Sequence, residues 1–402
     1  MKMGKFLATA AAVAVLATGA QADCAFENDV PVSISAAGFD AWNVVTAAMQ
    51  ECGNVSVELS QDFQEKQATG MAARPSLYTM GGVANSSMVP LLNAGLIRPL
   101  DDLVEQYGQG LSPQQLIRVD GQIMAIAMMV NAQHLMLRRD IFDELGLDVP
   151  TDYDELIATA EAIREAGVVD YPFGAPWSTT WLIFVDMYLG YGGEFFTDGF
   201  MPAVDNETGL ATLARMAELT DYMDPEYLVS DSTYVQQQLQ NGRIAMANLW
   251  ASRAGAMNNA EESQVVGLIE FASAPRSAAG TLPAATLWWD GVVIAANVSD
   301  EEAEAAFRVA MEGMDAEMAN ANPEAAIWIV PGFEPGEIAA GAAATAQNGA
   351  RPYPASSHMG LMQQAIADNI SAFLTGNVGP EETLAQIEAD YLTSAREAGI
   401  IE

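Results

Sequence analysis

The sequence predicts an α/β protein of two lobes, and three observations support this fold class. Strand-like and helix-like segments alternate at short spacing, as they do where helices connect the strands of a sheet. The chain has 402 residues, of which 50% are hydrophobic, so it can bury a large core. About 380 residues remain once a predicted leader is removed (402 − 22), and this exceeds the usual size of one compact core.

The leader comprises residues 1–22 and has the pattern of a secretory signal peptide. Two lysines precede an apolar run from Phe6 to Ala20, and Ala20-Gln21-Ala22 supplies the small residues that signal peptidase requires. The run is too short to cross a bilayer, and no later stretch is long and apolar enough. Asp23 stands where a lipid-anchor motif needs a small residue. We therefore expect a soluble mature protein in the periplasm.

Acidic residues dominate the charged side chains of the chain. It has 53 Asp and Glu residues against 16 Lys and Arg residues, for a formal net charge of −37. Such a field repels nucleic acid and anionic lipid, so neither is expected as a partner. A solvated acidic surface without a specific role accounts for most of this charge.

The cysteines and histidines predict a disulfide and exclude a metal centre. In an exported protein, the pair Cys24 and Cys52 favours a disulfide that pins the new N-terminus to the end of the first helix. The two histidines, His134 and His358, have no second Cys or His nearby. A zinc site or metalloprotease helix therefore does not fit, and we expect neither a metal nor a cofactor.

The first part of the chain reads as alternating strands and helices. The predicted strands cover 30–34, 55–59 and 77–80, and the predicted helices cover 40–51, 62–72 and 86–94. This alternation predicts a parallel sheet, whose ligand crevice lies beyond the carboxyl ends of the strands. The rule indicates Phe39–Trp42, Gln61–Gln64 and Gly81-Gly82 as candidate crevice segments.

The second part of the chain begins near residue 135. Thr151 is expected to cap a helix that ends at Gly167, and a capping box is expected at Ser299. Residues 190–199 and 332–354 read as loops, the latter with a crossover. The remaining predicted helices and strands are 207–223, 232–242, 244–248, 291–297 and 380–398.

The tryptophans are the most informative side chains, because no catalytic motif stands out and the many carboxylates hide any glycosidase pair. Six lie in or beside predicted loops after strands: Trp42, Trp177, Trp181, Trp250, Trp288 and Trp289. A tryptophan face suits the C–H face of a sugar ring, although each one alone is more often a core residue. Strand alternation places Trp288 and Asp290 on one side and Trp289 on the other. One of these tryptophans should face a ligand, and the pattern leaves open which.

Four segments of the chain carry a resemblance to a known family. They are residues 95–102 (GLIRPLDD), 119–156, 241–253 (NGRIAMANLWASR) and 291–318. In this order they resemble the signature segments of extracellular solute-binding proteins of the maltose-binding type, the sugar-binding components of ABC transporters. The chain departs from the family pattern at Pro75-Ser76, Ala127 and Arg138. These departures affect the ligand assignment more than the fold.

The resemblance implies a two-lobed periplasmic-binding-protein fold of type II, with a mixed sheet flanked by helices in each lobe. Lobe one would contain residues 23–130 and 292–340, and lobe two residues 131–291 and 341–402. Met128–Gln133 and Gly291–Ala295 would be hinge strands, and the lobes would close around the ligand.

Position in the family pattern and the tryptophan pattern together give a set of candidate ligand-binding residues. The set is Asp40, Trp42, Gln64, Met80, Gly81, Asn131, Trp177, Trp250, Trp288, Trp289, Asp290, Arg351 and His358.

The function that we expect is reversible binding of a neutral sugar or polyol by a monomeric receptor, which delivers it to the membrane permease of an ABC importer. Basic residues are scarce near the candidate site, which favours a neutral ligand. One alternative is a receptor for a cationic compatible solute such as a betaine, held by tryptophans beside Asp290. The other is a periplasmic glycoside hydrolase. A hydrolase should show a cleft carboxyl with a raised pKa, whereas we expect none in a receptor.

Overall fold

The computed structural model describes residues 24–60, 62–119, 121–334 and 336–401. The predicted signal peptide lies outside the described residues. Within them the chain forms an eight-stranded sheet and a four-stranded sheet, both covered by helices. The two-lobed α/β fold class predicted from the sequence is therefore confirmed.

The strands are short, and most have buried side chains on at least one face. In chain order they are β1 (Asn28–Ala36), β2 (Gly53–Leu59), β3 (Met80–Ala84), β4 (Leu116–Val119), β5 (Gln122–Asn131), β6 (Gln133–Arg138), β7 (Tyr171–Gly174), β8 (Ile244–Trp250), β9 (Ile269–Ala272), β10 (Thr286–Ile294), β11 (Ile327–Trp328) and β12 (Arg351–Pro352).

The helices pack against the faces of the two sheets and against one another. In chain order they are α1 (Asp40–Glu51), α2 (Phe63–Ala72), α3 (Asn85–Asn93), α4 (Asp101–Tyr107), α5 (Arg139–Leu145), α6 (Tyr153–Ala166), α7 (Thr180–Gly190), α8 (Glu207–Thr220), α9 (Ser232–Gln240), α10 (Asp300–Gly313), α11 (Ala316–Ala321), α12 (Ala340–Gln347), α13 (Ser357–Leu374) and α14 (Pro380–Glu397). No helix in the described ranges is long and apolar enough to span a membrane.

The larger sheet has the strand order β11-β5-β10-β3-β1-β2, with β4 added beside β5 and β12 beside β10. Its strand β1 pairs in parallel with β2 and β3, as the alternating pattern predicts. Strand β10 instead lies antiparallel between β3 and β5, so the sheet is mixed. The smaller sheet has the order β7-β8-β6-β9 and is also mixed.

The chain passes between the two sheets along extended strands. Strand β5 ends at Asn131 in the larger sheet, and β6 begins at Gln133 in the smaller one, so Ala132 alone separates them. Strand β10 starts beside β12 and then enters the larger sheet, where Trp288 pairs with Asn131. The side chains at these crossings therefore lie between the two sheets.

Most of the predicted elements are confirmed, and the exceptions have local causes. Strand β3 begins at Met80, because the predicted segment from Leu77 onwards starts with a side chain that is 64% exposed. The cap of α6 is Asp152, whose carboxylate accepts the Glu155 N–H at 3.0 Å. Thr151, which we expected to be the cap, donates its hydroxyl to the Glu155 carboxylate instead.

Three further corrections concern segments near the cleft. Strand β10 begins at Thr286 rather than at Gly291, so Trp288, Trp289 and Asp290 all lie within it. Trp42 lies inside helix α1, and Trp181 lies in α7, which the sequence pattern did not indicate. The segment predicted as a loop and crossover contains α12.

The disulfide between Cys24 and Cys52 is confirmed. It joins the first described residue to the C-terminal end of α1, with a Cα–Cα distance of 5.0 Å. The Cys52 carbonyl also accepts a hydrogen bond from the Asn28 N–H at 2.7 Å, where β1 begins. The bridge and this bond together fix the N-terminal segment to the edge of the larger sheet.

Removal of this bridge by the double substitution Cys24→Ser/Cys52→Ser should lower the free energy of unfolding by about 2–4 kcal/mol, because the unfolded chain gains conformational entropy. Urea unfolding followed by circular dichroism measures the difference. Wild-type protein in dithiothreitol is the matched control and should unfold at the same urea concentration as the variant. Equal midpoints for the variant and the oxidised wild type would contradict the expectation.

Candidate functional site

The space between the two sheets contains two connected chambers. The first chamber has a volume of about 1440 Å³ and extends towards α3, α13 and the C-terminal residues. The second chamber has a volume of about 920 Å³ and extends towards the N-terminal end of α1. The residues that line both chambers are Ser232, Thr233, Trp250, Arg253 and Trp288. The two chambers are therefore arms of one cleft that meet at these side chains.

Four aromatic side chains, Trp181, Trp250, Trp288 and Tyr353, form a cluster at the junction and along the first chamber. Trp250 meets Trp288 edge-on at a centroid distance of 5.9 Å, and Trp288 stacks on Tyr353 at 4.3 Å. Trp181 meets the other side of the cluster, edge-on to Tyr353 at 6.1 Å. We call these four residues the aromatic cluster. Trp181 and Trp250 are half-buried, whereas Trp288 and Tyr353 are 9% and 4% exposed, so the first two supply most of the ring surface that a molecule in the cleft can reach.

A buried hydrogen-bonded chain holds the indole of Trp288. Its Nε1–H donates to Thr286 Oγ1 at 2.8 Å, and the Thr286 hydroxyl donates to Asp186 Oδ1 at 2.7 Å. Asp186 is only 2% exposed, and burial raises its pKa to about 8. The indole N–H of Trp288 is therefore used within the protein, and the ring, stacked on Tyr353, presents only a small apolar part to the cleft.

Strand alternation separates the two neighbouring tryptophans as the sequence pattern predicts. Trp288 faces the cleft, whereas Trp289 packs on the opposite side of the sheet against a small cluster that includes Met71 and Val83. The Trp289 backbone N–H donates to Asn85 Oδ1 at 3.1 Å, which ties β10 to α3. Of the two neighbours, Trp288 is the one that lines the cleft.

Asp290 lies on the same side of β10 as Trp288 and lines the second chamber. Its carboxylate accepts a hydrogen bond from the buried Trp42 indole. Burial raises the pKa of Asp290 to about 7, although the bond from Trp42 works against this shift. The strand pairing shifts register between Asp290 and Gly291, and irregularities of this kind often re-aim a side chain beside a site.

Arg253 is the one cation among the described residues that line the cleft, and reasoning from the sequence did not select it. The guanidinium donates to Gln236 Oε1 at 3.1 Å and forms no ion pair within the described ranges. Burial lowers the pKa of Arg253, while the nearby charges of Asp40 and Asp231 work in the opposite direction. Four of its five N–H donors remain free for a ligand.

A sequence profile of the bacterial extracellular solute-binding proteins matches residues 33–365. This span covers most of the chain. The chain belongs to the bacterial extracellular solute-binding proteins.

The structural relatives of this solute-binding protein span nearly its whole length. An ABC transporter solute-binding protein of Agrobacterium radiobacter K84 in complex with ribitol has a TM-score of 0.78 at 19% identity, over 91% of this chain and 99% of that one. A maltose-bound protein of T. maritima has a TM-score of 0.74 at 17% identity, over 90% and 99% of the two chains. At these identities the likeness shows the fold.

A curated relative matches a shorter part of the sequence. A probable sugar-binding periplasmic protein of Brucella suis biovar 1 (strain 1330) is 24% identical over 139 residues, which are 33% of either chain. The solute-binding protein thus spans about a third of the length of this curated relative.

The structure brings six of the candidate ligand residues to the cleft of this solute-binding protein. Asp40, Asn131 and Asp290 line the second chamber, Gln64 lines the first, and Trp250 and Trp288 line both. Asn131 at the end of β5 also donates its amide to Ser252 Oγ at 3.2 Å. This bond joins the larger sheet to the turn after β8.

The other candidate residues lie away from the chambers. Trp177 is fully buried and meets Tyr227 edge-on, while its neighbours Ser178 and Thr179 line the first chamber. Arg351 pairs with Glu194 at 2.8 Å. His358 stacks on Phe200 at 3.6 Å. The remaining candidates lie within or behind the larger sheet, and they are Trp42, Met80, Trp289 and the backbone of Gly81.

Sequence reasoning missed Arg253, Trp181 and Tyr353 as cleft residues. Arg253 is the last residue of a segment that carries the family resemblance, so its position was the available signal. Trp181 lies in a helix with apolar residues on every side, and Tyr353 lies in a segment rich in Gly, Ala and Pro. Neither segment has a periodicity that selects one face.

Thr286→Val should destabilise the protein by about 1–3 kcal/mol, because it leaves the buried Trp288 N–H without a partner and removes the hydroxyl bond to Asp186, whose carboxyl keeps only the bond from the backbone of residue 286. Thr286→Ser keeps the hydroxyl and serves as the control, with a smaller loss expected. The urea midpoints of the two variants test this. Equal losses for Val and Ser would argue against the hydrogen-bonded chain.

The raised pKa of Asp290 predicts a pH dependence of stability. The native carboxyl keeps its proton up to about pH 7, whereas the unfolded chain releases it near its ordinary pKa of about 3.9. The contribution of Asp290 to the free energy of unfolding is therefore full below about pH 4 and is lost as the pH rises to about 7. Relative to Asp290→Asn, the wild type should lose stability across this window and then level off.

Urea unfolding of both proteins at about pH 4, 5.5, 7 and 8.5 measures this difference. Asp40→Asn is the control, because Asp40 lies in the same chamber but is exposed. A difference between wild type and Asp290→Asn that stays constant over the whole range would rule out the raised pKa.

Proposed function

We propose that this solute-binding protein is the receptor of an ABC importer, that it binds a neutral sugar or polyol in the cleft, and that it delivers this ligand to a membrane permease without chemical change. The observation that carries the proposal is the aromatic cluster at the junction of the two chambers. A sugar presents apolar C–H faces that stack on the half-buried Trp250, beside the exposed part of Trp288. Its hydroxyls bind the surrounding amides, carboxylates and guanidinium.

Polar groups suited to hydroxyl binding surround the aromatic rings. Asp290 and Asp40 offer acceptors, and Asn131 offers an amide beside the crossing strand β5. Arg253 adds donors at the junction, where the sequence indicated that basic residues are scarce. A neutral hydroxylated ligand uses both kinds of group, because each hydroxyl donates one hydrogen bond and accepts others. The ribitol-bound and maltose-bound structural relatives support this ligand class.

The closing motion follows from the arrangement of the strands. We propose residues 23–130 and 292–340 as lobe one and residues 131–291 and 341–402 as lobe two, with hinge strands at Met128–Gln133 and Gly291–Ala295. Ligand contacts from both sheets would then favour the closed arrangement, because they form together only when the lobes meet. The closed monomer would present both lobes to the permease.

The proposed location is the periplasm, after removal of a signal peptide that comprises residues 1–22. The family consists of extracellular proteins, which supports this location. The leader pattern at the start of the sequence supports it independently.

A periplasmic glycoside hydrolase is the second candidate, and Asp290 is the observation that favours it. Contrary to our expectation for a receptor, the cleft contains a carboxyl with a raised pKa. A general acid of a glycosidase needs such a pKa, but it also needs a second carboxylate across the scissile bond. We favour transport because the family binds solutes and because burial against Trp42 accounts for the pKa of Asp290 without a catalytic role. Release of nitrophenol from p-nitrophenyl glycosides tests the hydrolase directly.

A cationic compatible solute such as glycine betaine is disfavoured by the position of Arg253. Its guanidinium lines both chambers beside Trp250 and Trp288. A quaternary ammonium on these rings would face a like charge that no ion pair within the described residues neutralises.

Thermal unfolding of the mature protein with neutral sugars, polyols, sugar acids and betaines tests the proposal. A neutral sugar or polyol at 100 times its Kd should stabilise the protein by about 2.7 kcal/mol. Trp250→Ala should weaken binding of that ligand at least about tenfold, because it removes a ring face at the junction. Trp289→Phe is the control, since Trp289 packs on the far side of β10.

A stability increase with betaines or sugar acids alone would overturn the proposed ligand class and leave the fold unaffected. Equal affinity of Trp250→Ala and Trp289→Phe for the stabilising sugar would remove the aromatic cluster from the site.

A further inference from the structure

The backbone of β10 fixes the position of the Asp290 carboxyl in the second chamber. Asp290 lies opposite Ala84 of β3 and Met129 of β5. The pairing with β5 shifts register directly after it, and a Cβ on the next residue, Gly291, would collide with the Ile126 carbonyl oxygen. The strand therefore needs a glycine to carry this irregularity, which sets the direction of the Asp290 side chain.

The charges that face Asp290 are mostly of its own sign. The carboxyls that line the second chamber are those of Asp40, Glu262, Asp290 and Glu324. Arg253 is the one cation on the described part of this lining. Strands β3 and β5, which pair with β10 on either side, have no charged side chain. Within the described ranges Asp290 forms no ion pair, and its hydrogen-bond partner is the Trp42 indole.

The hydrogen-bond donors beside Asp290 are already used within the protein. The indole N–H of Trp42 donates to Asp290 itself, and that of Trp288 donates to a buried threonine hydroxyl. The Asn131 amide donates to Ser252 Oγ at 3.2 Å, and its carbonyl accepts the Ser252 N–H at 3.3 Å. A ligand oxygen that faces this wall finds little donor capacity left, and an ionised Asp290 would add only acceptors.

Occupation of the chamber by a ligand removes water from Asp290. An ionised carboxyl with one indole partner would then lose hydration that a neutral ligand replaces only in part. A neutral carboxyl avoids this cost, because one oxygen accepts the Trp42 N–H and the other carries a proton to donate. Burial raises the pKa of Asp290 to about 7, so the neutral form is well populated at neutral pH before any ligand binds.

We propose that Asp290 binds the ligand as a neutral carboxylic acid, whose O–H donates a hydrogen bond to an oxygen of the sugar or polyol. The inference rests on the proposed function and deepens it, because it changes the role of Asp290 from an acceptor to a donor. Carboxyls that burial keeps neutral serve as donors in other protein sites. The receptor then takes up a proton when it binds its ligand above about pH 7, and it binds most tightly below that pH.

The pH dependence of affinity tests the inference. The probes are neutral sugars and polyols, with ribitol, mannitol, glucose and maltose among them, because none of them titrates near neutral pH. For the probe that binds most tightly, isothermal titration should give a Kd that is constant up to about pH 6 and at least about tenfold higher at about pH 9. At about pH 8, titrations in phosphate and in Tris should reveal uptake of about one proton per probe bound, since these buffers differ in heat of ionisation.

Two substitutions of Asp290 separate a donor from an acceptor. In Asp290→Asn the amide keeps an acceptor for the Trp42 N–H and has a permanent donor. Its Kd should be constant from about pH 5 to about pH 9, and at the upper end it should be lower than that of the wild type. Asp290→Leu has a similar size but no donor, and its Kd should exceed that of Asp290→Asn at least about tenfold at every pH.

Two other carboxyls supply matched controls. Asp40 lines the same chamber and is exposed, whereas Asp186 is a buried carboxyl whose pKa burial raises to about 8. Asp40→Asn and Asp186→Asn should each keep the pH dependence of the wild-type Kd. Burial lowers the pKa of both His134 and His358, so neither accounts for a change above pH 7. Thermal unfolding without a probe verifies that every variant folds over the pH range.

The outcomes separate the inference from the function on which it rests. A Kd that is constant with pH in the wild type, or that falls as the pH rises, means that Asp290 does not donate, and the receptor for a neutral ligand still stands. A pH dependence that persists in Asp290→Asn, or that disappears in Asp186→Asn, has the same consequence. If no neutral sugar or polyol binds at any pH, the proposed function fails and the inference fails with it.

Discussion

The cleft depends on strand β10 being anchored at both ends. At its start, Thr286 donates to the buried Asp186 of α7, and beyond Asp290 the strand lies paired between β3 and β5 in the larger sheet. Between these anchors the alternation of a strand leaves one face towards the cleft. That face carries Trp288 and Asp290, so the aromatic and the acidic contacts of the cleft share one backbone. A shift in the pairing register of β10 would therefore move both side chains together.

The removal of water from this region has a cost in folding free energy. Asp186 and Asp290 both have raised pKa values because the protein removes water from them. Asp186 is used to hold Trp288, and Asp290 remains partly open to a chamber. Buried polar groups of this kind stabilise a fold poorly, but they fix the direction of neighbouring side chains. The cleft thus gives up some stability for a preorganised surface.

Sequence patterns predicted the fold better than the cleft. Alternation and periodicity located β1, α1 and β2 closely, because short amphipathic elements leave a clear imprint on the sequence. They also placed Trp288 and Trp289 on opposite faces. They could not show that Trp177 is enclosed whereas its helical neighbour Trp181 reaches the cleft. Tyr353 comes from a distant segment whose position is set by pairing with β10, and single-sequence patterns carry no information on such long-range contacts.

The edge-on contact of Trp250 with Trp288 places two intrinsic fluorophores at the junction of the chambers. Trp250 ends β8 of the smaller sheet, and Trp288 lies where β10 enters the larger one. Both rings pack against one core cluster, so a molecule that enters the cleft beside them would change the surroundings of both indoles together. Their intrinsic fluorescence would then report occupancy of the cleft without an attached dye.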